Sequence, residues 1–501
     1  MEMKSNNLGK LGYKRTYRFA EKNSPNHSRL RKMEFSLSLI IFIASILFIC
    51  SSPAIASYEK EEVIHLSLAE VIRQTVENNF GIELAQLDAE IGATQLPLQK
   101  AIFDTILKGE AHLVGKGGPE AMPYLGVARN FPTGTIASLT FIDMENLPLG
   151  PPPAPVVNSA LELSLTQPLL KNRGGLIGRG SVELTRLGIK NINFISQDRI
   201  EEIIATTEKA YWNLVFAYEI LQTKENMLRW AEELVNLNEE LFEMGLIEKV
   251  DILTSEANLS LRQLELLVAE NGFQSAVNGL KFLINDTTPT TIIPVTGLTR
   301  KDKEIILETE LQKAFLHRRD YQKAQVSIQA SDLQLKIKAN SRLPQLDLTG
   351  SLRWQKLDTQ PRGVFANDPD YFLGIELSFP LGGGKARSEY NRALLEKEQA
   401  LVNLEMVERI IATEVDEKVR AVEISNKQIE QHLRIVELQR LQLEEEMKRF
   451  EHGRSRSDIV VRFREALLKT EMALIKSLVS YNKSWVDLRR TQNILLDKWG
   501  I

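Results

Sequence analysis

Residues that carry chemistry are scarce in this chain. Its 501 residues include one cysteine, Cys50, and six histidines. Cys50 lies in an N-terminal apolar run, so a chain that sheds this run has no cysteine, which excludes disulfides and thiol chemistry. His27, His65, His112, His317, His432 and His452 show no paired ligand spacing, and no zinc site is expected. The GGGK of residues 382–385 resembles a phosphate loop, but Phe379 and Ala386 occupy the places where such a loop needs Gly and Ser or Thr. It reads as a turn into a helix. The abundant carboxylates fall on helical stretches and read as solvated faces. No catalytic residue, cofactor or metal is expected, and the chain is not read as an enzyme.

Excess positive charge is also lacking. The formal net charge is −4, and residues 1–56 hold 9 Lys/Arg against 3 Asp/Glu, leaving 53 against 63 for residues 57–501. A mildly acidic body argues against nucleic acid as a partner, because phosphate contacts need a basic face. The basic start, with Arg29, Arg31 and Lys32, precedes FSLSLIIFIASILFI at 35–49 and then SSPAIAS. A largely apolar run of fifteen residues is short for a membrane span but suits a secretory signal, with Ala54 and Ala56 as the small residues of its cleavage site. Residues 1–56 are therefore read as a signal peptide with an extended leading region. Acylation of Cys50 would need a small residue before it, and Ile49 is large.

Proline is missing from 169–288 and from 381–501, and Gly453 is the only glycine between Lys385 and Trp499. Proline costs roughly 3 kcal/mol inside a helix, so both stretches predict long helices. Apolar spacing agrees. Leu404, Val407, Ile411, Val415, Val419 and Val422 step by threes and fours, as do Ile200, Ile203, Tyr211, Leu214, Tyr218 and Leu221. A helix from Gly180 to Met244 would be about 95 Å long at about 1.5 Å per residue. Each stretch has one interruption, FEMGLIEKVDIL at 242–253 and FEHGRSRSDIVV at 450–461.

Other segments alternate with a period of two. LELSLTQP (161–168), QLDLTGSLRW (345–354) and YFLGIELSFP (371–380) each put apolar residues on one face and polar residues on the other. FDTILKGEAHL (103–113) is a weaker case, and TIASLTF (135–141) reads either as a strand extension or as a loop. Such strands suit a wall between lipid and a watery lumen. The pattern recurs in order. Residues 57–300 and 301–501 each run helix, strand, loop, strand and long helical hairpin, with LTQPLL (165–170) matching LSFPLG (377–382). An internal duplication is the economical account. Pro168 and Pro380 mark the two strand-to-helix exits.

With LSLAEVIRQTVENN at 66–79, LTQPLLKNRGG at 165–175 and the two Phe-Glu-x-Gly breaks, residues 63–499 resemble the TolC family of outer-membrane efflux channels. The resemblance implies a mainly α chain with a membrane β-barrel portion, in which a long antiparallel coiled-coil α-barrel continues four β-strands per chain. Four strands cannot close a barrel, and open edges are not tolerated in lipid. The family closes twelve strands as a homotrimer in outer-membrane lipid, with the helical part in the periplasm. The partners implied are a periplasmic adaptor and an inner-membrane transporter, for efflux or type I secretion through a passive, gated duct. Rival readings are a periplasmic adaptor, which would carry one hairpin between β-domains, and a coiled-coil structural protein, which leaves the strands unexplained.

Under this resemblance the breaks are hairpin tips that gate the tube or contact the adaptor. Gly245 and Gly453 suit the residue after a helix C-terminus, and Asp251 and Asp458 the start of the returning helix. The second tip reads one residue shorter, and Val461 and Arg462 stand where a further acidic residue often falls. The tips differ in charge. Glu243, Glu248, Lys249, Asp251 and Glu256 surround the first, whereas Arg449, Arg454, Arg456, Arg462 and Arg464 dominate the second. Pairing of an acidic tip with a basic one, within or between subunits, is the expected closure.

Overall fold

The computed structural model describes residues 62–115, 119–148, 156–300, 305–358, 369–452 and 454–501. The signal-peptide reading, with Cys50, Ala54 and Ala56, lies outside the described residues, as does Gly453. The chain starts with strand β1 (Glu62–Leu66), then helices α1 (Leu68–Asn78), α2 (Phe80–Ala93) and α3 (Gln95–Lys100). Four strands follow, β2 (Thr105–Gly115), β3 (Pro119–Asn130), β4 (Ile136–Pro148) and β5 (Val156–Pro168). Helix α4 (Leu176–Glu243) returns as α5 (Lys249–Ile284), and β6 (Thr290–Pro294) pairs in parallel with β1. Helices α6 (Leu307–His317) and α7 (Arg319–Asn340) lead to strands β7 (Gln345–Asp358) and β8 (Asp370–Ser378). The second hairpin is α8 (Gly384–Glu451) and α9 (Ser457–Gln492), closed by α10 (Leu495–Trp499).

Proline-free sequence yields the long helices. Both α4 and α8 have 68 residues, or about 100 Å at about 1.5 Å per residue, and both α5 and α9 have 36. The opening helices are shorter than the periodicity alone suggests. Asn79 adopts extended backbone and accepts from the amides of Gly81 and Ile82, which ends α1 and caps α2. Arg318 is likewise extended between α6 and α7.

Six strands form one antiparallel sheet in the order β2-β3-β4-β5-β7-β8. This corrects the expected four, because residues 119–148 supply an additional hairpin, β3 and β4, between β2 and β5. Pattern reading misses β3 because Pro119, Pro123 and Gly126 are poor strand residues. The sheet tolerates Pro123 because that residue lies just beyond the last β3–β4 pair, Tyr124 with Ile142. Of the two exits, Pro168 is the last residue of β5, whereas Pro380 falls after β8 has ended.

Register separates the two faces cleanly. Leu107, Val127, Leu139, Leu163, Leu352 and Tyr371 align across all six strands on one face. The neighbouring row, Lys108, Gly126, Thr140, Glu162, Arg353 and Asp370, lies on the other. There Arg353 pairs with Glu162 at 2.5 Å, and the Ser138 and Ser164 hydroxyls meet at 2.7 Å. Among the described residues no helix is long and apolar enough to cross a membrane.

The core lies along the middle of the helices. Val71, Ile72, Tyr211, Leu214, Val277, Leu280, Ile292, Val486 and Leu495 are buried together. The Tyr211 hydroxyl donates to the Leu66 carbonyl at 3.1 Å and accepts from the Thr296 amide at 2.9 Å, tying the β1–β6 pair to α4. A second cluster joins α6, α8 and α9 through Ala314, Ile411, Val415, Val422, Ile429, Tyr481 and Leu488. Between them lies a buried carboxylate. Glu201 is fully buried, ion-pairs with Arg319 and accepts from the Leu495 amide at 2.8 Å and Asn493 Nδ2 at 3.2 Å. Removing one partner of a buried pair strands a charge in low dielectric. Arg319→Met is therefore expected to cost about 3–5 kcal/mol. A fall in the thermal midpoint of the purified protein, followed by helical circular dichroism, checks this; an unchanged midpoint refutes it.

Candidate functional site

The tips are built by local backbone chemistry. At the first, Gly245 has φ of 73°, a left-handed conformation that costs glycine little. The Gly245 amide donates to the Phe242 carbonyl at 2.8 Å and the Leu246 amide to the Leu241 carbonyl at 2.9 Å, so the last carbonyls of α4 are satisfied by a Schellman pair. Glu248 then caps α5, its amide donating to Asp251 Oδ2 at 3.1 Å. Asp251 is thus the third residue of the returning helix rather than its cap, closing a capping box.

At the second tip the Arg454 amide donates to the Arg449 carbonyl at 2.8 Å, the counterpart of the Leu246 bond. Arg456 caps α9, and Asp458 is the second residue of that helix. The connecting segments, 244–248 and 452–456, are equal in length, so the second tip is not shorter. The closer Gly-to-Asp spacing instead moves the aspartate one helix position toward the cap. Asp458 is held by Arg456 at 3.2 Å and Arg462 at 3.5 Å, and Arg449 by Glu446 at 3.5 Å. The second tip's arginines are therefore satisfied largely within their own turn. Among the described residues of this single chain, no ion pair joins the acidic tip to the basic one.

The hairpins do meet about two to four turns further up, a contact that local sequence reading missed. Arg262 of α5, with a side chain only 10% exposed, pairs with Glu465 of α9 and with Glu265 at 3.0 Å. Lys224 of α4 reaches the same Glu265 at 2.9 Å. Arg464 of α9 stacks over the Trp230 ring of α4 at 4.6 Å, beside a cleft of about 360 Å³ that Met227, Leu234, Met447, Phe450 and Leu468 help to line. These partners are more than 200 residues apart for Arg262 and Glu465, so no short window of sequence signals them. Among the described residues no cluster of His, Cys, Asp and Glu could hold a metal ion.

Long paired helices continuing an amphipathic antiparallel sheet are the setting for the comparisons with known proteins. Residues 311–493 match the family described as outer membrane efflux protein. Over that segment the chain is similar to the TolC family of outer-membrane efflux channels. Its function is that of an outer-membrane efflux channel, not of an enzyme. Solved structures share the fold. CmeC of Campylobacter jejuni is 19% identical, with 85% of each chain covered and a TM-score of 0.61. MtrE of Neisseria gonorrhoeae is 17% identical, covering 85% of this chain and 88% of that one at a TM-score of 0.62. VceC of Vibrio cholerae is 16% identical, covering 85% and 96% at a TM-score of 0.61. No curated protein matches this chain by sequence.

In this efflux channel the Arg262 cluster has a defined pH response. Burial pulls the Glu265 carboxyl upward, but hydrogen bonds from Lys224 and Arg262 outweigh it and hold the carboxyl below its usual value. A lowered native value stabilises above the unfolded value of about 4.3, and the benefit is lost as pH falls through the native one. Arg262→Ala is expected to raise amide exchange several-fold across 258–268 and 460–470 at neutral pH. Glu265→Gln should remove the acid-induced part of that loosening below about pH 4. Hydrogen–deuterium exchange that is unchanged in both variants would rule out the cluster as a link between the hairpins.

Proposed function

We propose that three copies of this chain assemble into one gated duct, a passive exit coupled to a periplasmic adaptor and an inner-membrane transporter. The observation that supports it best is the open sheet. One face is apolar, one polar, and among the described residues the outermost strands β2 and β8 each have a single partner strand. Hydrocarbon cannot satisfy a free strand edge, so further copies must close the wall. Exposed apolar residues on the helices, such as Leu264, Leu267 and Val268 of α5 and Leu395, Val402 and Met406 of α8, suit contacts between copies. The equal 68- and 36-residue helices support reading 57–300 and 301–501 as duplicated halves.

The tips are the proposed gate or adaptor contact, through Gly245, Glu248, Asp251, Gly453, Arg454, Arg456, Asp458 and Arg462. MtrE has been captured in an open state, so opening lies within the repertoire of a neighbour of this fold. With no acidic-to-basic pair between the tips of one chain, charge closure falls to contacts between neighbouring copies. Each exposed pair is worth only about 0–1 kcal/mol, and repetition around a ring is what makes closure hold. Arg454→Glu with Arg456→Glu is expected to raise single-channel conductance in planar bilayers at least twofold. Unchanged conductance with lost efflux assigns these arginines to adaptor docking instead. Detergent extraction of a species of one or two chains would overturn the threefold assembly.

A further inference from the structure

The β3–β4 hairpin carries the signature of the barrel wall. With 12 and 13 residues, each strand exceeds the roughly 9–11 residues that a tilted strand needs to cross a bilayer. Leu125 and Val127 of β3 and Leu139 and Phe141 of β4 lie on the apolar face, in register with Leu161 and Leu163 of β5. Leu125, Val127 and Leu139 are exposed in the single chain. Gly126, Ala128, Ser138 and Thr140 lie on the polar face, in register with Ser164 and Glu162. A flap standing in water on both sides would have no need of this alternation.

The hairpin is also seated at its base. The Phe131 amide donates to the Thr135 carbonyl and the Gly134 amide to the Phe131 carbonyl, both at 2.8 Å, which makes a tight turn. That turn packs on the strand-to-helix exit at 168–175. A Cβ placed on Gly175, whose φ is 70°, would fall 1.9 Å from the Pro132 carbonyl oxygen. The Asn130 side-chain amide reaches the Ile102 carbonyl at 3.3 Å, where the chain enters β2. The turn is therefore level with the points where the other strands join helices.

We propose that all six strands of each chain line the membrane channel, with β8 of one copy pairing with β2 of the next. Strand direction alternates through the sheet, so β8 and β2 run opposite ways and an even number of strands closes antiparallel. With the threefold assembly proposed above, the wall has eighteen strands, where the family resemblance implies twelve. Barrel diameter grows roughly linearly with strand number, so the membrane section is about 1.5-fold wider. At Gly126, Ala128, Ser138 and Thr140 the added wall faces the lumen with small uncharged residues, and the charged pair Arg353–Glu162 stays on the original strands. Over that stretch the passage is widened without added charge. It suits cargo of larger cross-section.

The test uses full-length channels carrying one introduced cysteine, reconstituted in liposomes, with the unsubstituted chain as the blank for Cys50. The probe is a small, charged, membrane-impermeant methanethiosulfonate. Ala128→Cys and Ser138→Cys are expected to react at least tenfold faster than Val127→Cys and Leu139→Cys, and all four should react equally once unfolded in detergent. Ser164→Cys and Leu163→Cys on β5 give the pattern of a wall strand. Equal reactivity of the four hairpin sites, or a reversed order, overturns the six-strand wall. Native mass spectrometry of the same samples counts chains independently. A mass other than three chains with alternation retained overturns the threefold reading and the number eighteen, but leaves six wall strands per chain. A three-chain mass with uniform labelling does the opposite.

Discussion

A backbone amide in hydrocarbon has no water to bond with, and this constraint organises the sheet and all that it joins. Within the chain it is met five times over, at each neighbouring strand pair from β2–β3 to β7–β8. Among the described residues it is not met at the two outer edges, which is the ground for the proposed assembly of several copies. Side-chain alternation follows from the same setting. On the proposed wall the apolar row from Leu107 to Tyr371 meets lipid, and the row from Lys108 to Asp370 meets water. Neither row makes sense without the other.

Joining such a sheet to helices needs turns that reverse sharply without leaving polar groups unpaired. At the first exit Asn172 is left-handed, its amide donates to Asn340 Oδ1 at 2.8 Å, and its own Oδ1 accepts from the Ile177 amide at 2.9 Å. One asparagine thus turns the chain and satisfies an open amide in the first turn of the 68-residue helix, whose N-cap is Gly175. Further along, apolar stripes on the helices are narrow, so side-chain burial alone fixes their relative positions weakly. The buried Glu201–Arg319 pair, with Asn493 and the Leu495 amide, supplies directional contacts at one level of the bundle. A mismatch there would expose a charge to low dielectric, which penalises any slip in register.

How much of this was legible follows from which signals are local. Absence of proline and a 3.6-residue stripe are local properties, and α4, α5, α8 and α9 were readable from them. So were the strands around Leu163, Leu348 and Ile375, where a period of two runs unbroken. Strand β3 was not, because Pro119, Pro123 and Gly126 obscure its pattern while its partners β2 and β4 hold it in place. The same masking hid the sixth strand, since β4 without β3 reads equally well as a loop. At the first tip Gly245 takes the left-handed conformation that its type suggested, but cap position depends on hydrogen bonds, which put Asp251 at the third helical residue. The Arg262–Glu465 contact was invisible because it joins distant segments.

The two tips repay comparison for where their charges end up. Charge of opposite sign at two ends of one molecule suggests attraction between them, and that was the expectation. Locally, however, each aspartate already serves its own helix: Asp251 closes a capping box, and Asp458 accepts from Arg456 and Arg462. Groups so engaged offer only their remaining, solvent-screened field to a neighbour. A cross-hairpin tie lies instead where Arg262 is buried and Arg464 covers Trp230, in surroundings that screen it less. On the proposed assembly, therefore, the hairpins of one chain would be held together above the tips, and the tips would be left free to respond to neighbouring copies. A gate built this way separates its hinge from its latch. Strengthening either one need not impair the other.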